Sequence, residues 1–234
     1  MKKVHKKYKR KYRQKGSWLN YLVWSLIGLA LLPVLLAVLV ATFMLVRQIP
    51  FLSTTIWYIV LGLVLYTFFH TFVYQPVGLY VMAHEFTHAA FALLFGYRVK
   101  KIKISTGGGY VEMSESNFVI DLAPYFFPLY TVILTAAFYG LDRLFDWSNF
   151  YWLFFIFVGI FLSFHFLSNW DVLKIGQPDL NSTGKIFAVI FVIISNLLVI
   201  NVLMVIFFID YINLNTIFDN FYHAGRFVYG LLES

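Results

Sequence analysis

Residues 82–90 read MAHEFTHAA and bring two imidazoles and a carboxylate into one short segment. On an α-helix His84 and His88 stand at i and i+4, one turn apart on one face, so both rings can meet a single metal ion. Glu85 lies about 100° round the helix from His84. From there it can reach a water on the metal without being a ligand. This is the H-E-x-x-H arrangement, in which zinc polarises a water and a carboxylate acts as general base on it. The pattern recurs by chance in many chains, so its surroundings decide its weight.

A catalytic zinc commonly takes three protein ligands and keeps one position for water. The chain has no cysteine, so the third ligand must be His, Asp or Glu. The candidates lie in FHFLSNWDVLKIGQPDLNSTG, where Asp171 follows His88 by 83 residues and Asp179 by 91. Asp179 sits between Pro178 and Gly184 in a polar segment that leads into an apolar helix. A carboxylate there would be held at a helix start and could point into a bundle. Asp171 would instead extend from the end of the preceding span. Helix capping or a solvated loop is the competing explanation for either. His70 and His165, each alone in an apolar run, read as packed, hydrogen-bonded residues. Asp121, Asp142 and Asp146 read as boundary charges.

The elements that must position these groups are membrane spans. Of 234 residues 61% are hydrophobic and 12% charged, which removes the soluble globular class. Crossing about 30 Å of hydrocarbon takes about 20 helical residues. Spans are expected at 18–46, with a kink at Pro33, then at 56–73, 77–96, 118–140 (broken by Pro124 and Pro128), 150–167 and 186–208. The fold class is therefore an all-α polytopic membrane protein of about six transmembrane helices. Between the third and fourth spans, RVKKIKISTGGGYVEM predicts a small β-hairpin with a glycine turn, directly after the H-E-x-x-H helix. An interfacial helix is expected around 218–232. The divisions follow as a basic tail (1–17), accessory helices (18–76), a membrane core that carries H-E-x-x-H (77–209) and a C-terminal interfacial segment (210–234). Three ionisable residues in hydrocarbon cost several kcal/mol and mark a functional cavity by default; bundle-stabilising pairing is the bland alternative.

Nine of the 18 Lys and Arg residues fall between Lys2 and Lys15, with no acid among them. Such a cluster before an apolar span is expected to be a cytoplasmic flank held by anionic lipid, rather than a nucleic-acid site. The first apolar run is too long for a cleaved signal peptide. A cytoplasmic N-terminus with three full crossings places Arg98, Lys100, Lys101 and Lys103 outside, so the two basic clusters cannot both obey the charge rule.

HEFTH, the GGGYV hairpin and QPDL, in this order over residues 77–205, resemble the site-2 protease family of intramembrane zinc metalloproteases. The resemblance is to its compact branch without an appended PDZ domain. It implies a zinc endopeptidase in a multi-pass protein of the cell membrane, acting on transmembrane protein substrates. His84, His88 and Asp179 would bind zinc, and Glu85 would be the general base. QPDLNSTG departs from the family's N-x-x-P…L-D-G signature around the aspartate. Residues 107–112, GGGYVE, are the candidate strand edge for an extended substrate. Asn196 and Asn201 are expected to bond between helices, with a place at the site as the alternative. The rival function is a non-proteolytic membrane protein that binds a metal or serves as a scaffold.

Overall fold

The computed structural model describes residues 18–105, 107–175, 178–181 and 183–233. The basic tail expected at 1–17 lies outside the described residues. In chain order the elements are α1 (Trp18–Ala30), α2 (Leu32–Val46), α3 (Thr54–Phe72), α4 (Val77–Leu94), β1 (Val99–Ser105), β2 (Gly108–Met113), α5 (Phe118–Phe126), α6 (Leu129–Phe145), α7 (Tyr151–Ile175), α8 (Lys185–Phe207) and α9 (Leu214–Glu233). Short 3-10 turns at Ser148–Phe150 and Pro178–Asn181 precede α7 and α8.

This is an all-α polytopic membrane protein with one small hairpin. Five helical stretches are long and apolar enough to cross a bilayer: Trp18–Val46, Thr54–Phe72, Val77–Leu94, Ser148–Lys174 and Lys185–Phe207. The pair α5 and α6 adds a sixth if it is one span, bent by 71°. Only 17% of the most apolar stretch of Thr54–Phe72 is buried within the protein. Its outward Val64, Phe68 and Phe72 therefore need an apolar solvent, as lipid provides.

Proline places the two helix breaks where the sequence expects them. Leu31 separates α1 from α2, with Pro33 within the first turn of α2, a position where a proline costs little. Pro128 ends α5 and opens α6, because it cannot donate a helical hydrogen bond, whereas Pro124, also expected to break this span, lies inside α5. α7 runs eight residues past the expected end at 167 and carries Asn169 and Asp171 as helical residues.

Contacts divide the chain into two compact units, one built on Leu52–Gln177 and the other on Gln14–Phe51 with Pro178–Ser234. They cut across the boundaries expected at 76/77 and 209/210. In the first unit α3 packs along α7 at backbone distance. A Cβ added at Gly62 would overlap the carbonyl oxygen of Ile156, and one at Gly159 that of Ile59. α4 packs on α5 and on both strands, and Phe138 of α6 stacks on Phe154 of α7 at 4.3 Å.

In the second unit α8 packs on α1 and α2. Val38, Ile190 and Ile194 form a shared core, and Asn201 donates to Thr42 Oγ1 at 3.0 Å. This is the helix-to-helix bond expected for Asn201; Asn196 donates to Val192 O in its own helix. α9 lies along α2, buries Asn220, Ala224 and Val228, and turns Phe218, Tyr222 and Tyr229 outward.

Candidate metal centre

α4 is an inverted amphipathic helix. Its polar side chains are inside, with His88 fully buried and Glu85 5% exposed, while Leu79, Phe86 and Leu93 face outward. Ionisable groups at membrane depth turn inward in this way because exposure of one to hydrocarbon costs about 3 kcal/mol on insertion scales.

The i, i+4 spacing brings His84 Nε2 to 3.1 Å from His88 Nε2, with the rings nearly perpendicular at 82°. His88 Nδ1 lies 2.8 Å from the carbonyl oxygen of Ile120 on α5. A carbonyl only accepts, so Nδ1–H donates and the lone pair of His88 is on Nε2, toward His84. His84 Nδ1 lies 3.2 Å from the Tyr80 hydroxyl, and its ring packs edge-to-face with that of Tyr125 of α5. Zinc–nitrogen bonds of about 2.0–2.1 Å put two ligands of a tetrahedral ion about 3.3 Å apart. The observed separation fits that edge, so the pair suits zinc.

Glu85 meets the hairpin. A Cβ added at Gly109 would lie 2.6 Å from Glu85 Cγ, 2.9 Å from Glu85 Oε1 and 2.7 Å from the Lys103 carbonyl oxygen. The strand backbone can approach the carboxylate only because residue 109 has no side chain. Gly108, at φ +125°, makes the turn into β2. The glycine run thus does two jobs, turning the chain and admitting β2 to Glu85. β2 pairs antiparallel with β1, with Gly109 opposite Ile104, and among the described residues no third strand joins them. β1 is the outer strand, with Lys100, Lys101 and Lys103 exposed.

The two candidate aspartates separate clearly. Asp171 Oδ2 accepts from His70 Nε2 at 2.8 Å and Oδ1 accepts from Lys174 at 3.2 Å. It is committed to the α3–α7 contact, and His70, which also bonds Tyr66 at 3.2 Å, is the packed histidine that its sequence setting predicts. Asp179 belongs to the second unit, where it is 6% exposed in the turn Pro178–Asn181 ahead of α8. A solvated loop does not describe it. His165 is buried and lies 3.3 Å from Asn169 Nδ2. Asn169 was not singled out by the sequence, and Gly109 entered only within the expected strand edge 107–112, since nothing in either residue's local pattern points to a buried partner.

A cavity of about 20 Å³ is lined by His84 together with Tyr80, Thr87, Pro124, Tyr130 and His165 among others. That volume accommodates about one water, at the α5–α6 break.

Comparisons with protein-family models, with curated proteins and with solved structures give no match. Fold and geometry therefore define the class by themselves: a multi-pass membrane protein with a histidine pair and a buried carboxylate on one helix, covered by a hairpin.

Proposed function

We propose that this chain is an intramembrane zinc endopeptidase of the site-2 protease type, cleaving transmembrane or membrane-proximal protein substrates. The observation that carries the proposal is the pair of Nε2 atoms 3.1 Å apart with the buried Glu85 one residue away on the same helix. His84, His88 and Asp179 offer two imidazoles and a carboxylate, the kinds of ligand a catalytic zinc takes. In this proposal they are the ligands.

Zinc bound there supplies a Lewis acid that polarises a peptide carbonyl and acidifies water. The protein's own groups do the rest. His88 is oriented by Ile120 and His84 by Tyr80. Glu85 takes a proton from water as its oxygen bonds to the scissile carbon, and returns that proton to the departing amide nitrogen as the C–N bond breaks. A carboxylate in this role needs no metal bond of its own. Its burial excludes bulk water that would compete for the proton.

A transmembrane substrate arrives as a helix with its amides paired, whereas hydrolysis needs an extended segment. β2 crosses directly over Glu85, so a substrate strand laid beside it regains backbone hydrogen bonds next to the general base. Residues 1–17 serve in this scheme as a cytoplasmic anchor on anionic lipid of the cell membrane.

The test is zinc content of the purified chain together with cleavage of synthetic transmembrane peptides read by mass spectrometry. About one zinc per chain, lost in His84→Ala and Asp179→Ala, is expected. A chain without tightly bound metal is a scaffold, and one that binds zinc but cleaves as well after Glu85→Gln is not this enzyme.

A further inference from the structure

We infer that Asn169 is a positioning residue for the metal centre, holding His84 through Tyr80 in the tautomer that presents Nε2 as a ligand. The inference rests on the zinc proposal above and extends it to a residue two contacts from the ligand His84.

The chain of cause starts at Pro128. Lacking an N–H, it cannot serve the carbonyl of Pro124 four residues before it. The next amide, Leu129 N–H, turns to Phe127 O at 2.9 Å and not to Tyr125 O. The break in α5–α6 thereby exposes carbonyls at membrane depth, where each needs a donor. Asn169, 5% exposed on α7, brings Nδ2 to 3.3 Å from Pro124 O and 3.5 Å from Tyr125 O. Both partners are acceptors, so the nitrogen of the amide must face them; the flipped amide would set oxygen against oxygen. The His165 ring nitrogens lie 3.3 and 3.4 Å from the same Nδ2, and in the neutral ring one of them can accept from it.

With Nδ2 so placed, Oδ1 faces the Tyr80 hydroxyl at 3.3 Å. An amide oxygen only accepts, so the hydroxyl donates its single proton to Asn169. The Tyr80 oxygen then has only lone pairs for His84 Nδ1 at 3.2 Å, and Nδ1–H is the donor. A neutral imidazole protonated on Nδ1 carries its lone pair on Nε2. That atom is the one facing His88 Nε2, whose own tautomer Ile120 sets in the same sense. Two acceptor nitrogens 3.1 Å apart make no hydrogen bond and suit a shared cation. Pro128, by breaking a helix, thus orients an amide on another helix and through it a ligand on a third.

The test uses the full chain in detergent, with zinc affinity read by competition with a chromophoric chelator. Tyr80→Phe keeps the ring and removes only the hydroxyl; Asn169→Leu removes the amide. Each should weaken zinc binding about 10–100-fold, the usual effect of losing an outer partner of a ligating histidine. The double variant should lose no more than the worse single, because the two are links of one chain. Asn169→Leu also strips the break of its donor and can impair folding, so Tyr80→Phe carries the decision. A second readout needs no metal: imidazole nitrogen shifts of the zinc-free protein should show His84 as the Nδ1–H tautomer in wild type and as a mixture in Tyr80→Phe. Unchanged affinity and unchanged tautomer in Tyr80→Phe overturn the inference while leaving the zinc proposal intact. A wild type that binds no zinc overturns the zinc proposal, and the tautomer measurement still decides whether the chain of bonds exists.

Discussion

At the scale of single residues, the site depends on which atoms a side chain has left to offer. Glu85→Gln keeps the volume and removes the base. Zinc content should stay at the wild-type level while cleavage falls about 100-fold or more, the size of a general-base contribution; equilibrium dialysis and a peptide assay on the same preparation check both halves. Gly109→Ala is the complementary case. The added Cβ would collide with Glu85 Cγ and the Lys103 carbonyl, so strand or carboxylate must shift. A displacement of about 1 Å at a reacting group costs about 100-fold, again with zinc retained. The aspartates should part company: Asp179→Ala loses the metal, whereas Asp171→Ala keeps it and lowers the unfolding midpoint, because the latter removes only the bond to His70 Nε2 at the α3–α7 contact. The first of these contrasts was legible in the sequence, because i, i+4 spacing is local and a helix converts it directly into geometry. The engagement of Asp171 was not. It turns on His70, 101 positions away from Asp171, reaching its carboxylate across a helix contact.

At the scale of elements, apolar runs marked the spans well and their ends poorly. The run of α7 reads as finished at Leu167, because Ser168, Asn169 and Asp171 are polar. The helix continues to Ile175 because those groups find partners on α3, α4 and the α5–α6 break. Hydropathy cannot register a polar residue whose hydrogen bonds are satisfied by distant segments. The glycines of the hairpin show the same limit: a turn was expected, but the close approach of Gly109 to Glu85 depends on where α4 lies. Gly62 and Gly159, unremarkable in sequence, let α3 and α7 touch backbone to backbone. Gly159→Ala should cost about 1–3 kcal/mol, the usual penalty of overpacking, seen as a lower unfolding midpoint in detergent.

At the scale of the whole molecule, the number of crossings turns on the bent pair α5–α6. Six crossings put the two ends of that pair on opposite sides of the membrane, while a re-entrant pair returns to the side it left. The absence of native cysteine makes a clean background for labelling. Cysteines introduced at Ser116 and Ser148 should react with an impermeant maleimide from opposite faces. The same experiment bears on the conflict between the basic tail and the basic hairpin, which composition alone cannot resolve because charge bias is read per loop.

The glycine seam between α3 and α7 leaves no slack for one helix to slide or tilt against the other, since each backbone already fills the groove of its neighbour. On the proposed function, a helical substrate would enter the unit elsewhere. The α5–α6 elbow is held to α7 chiefly by side chains such as Asn169, and bonds of that kind can be exchanged one by one without separating a packed backbone.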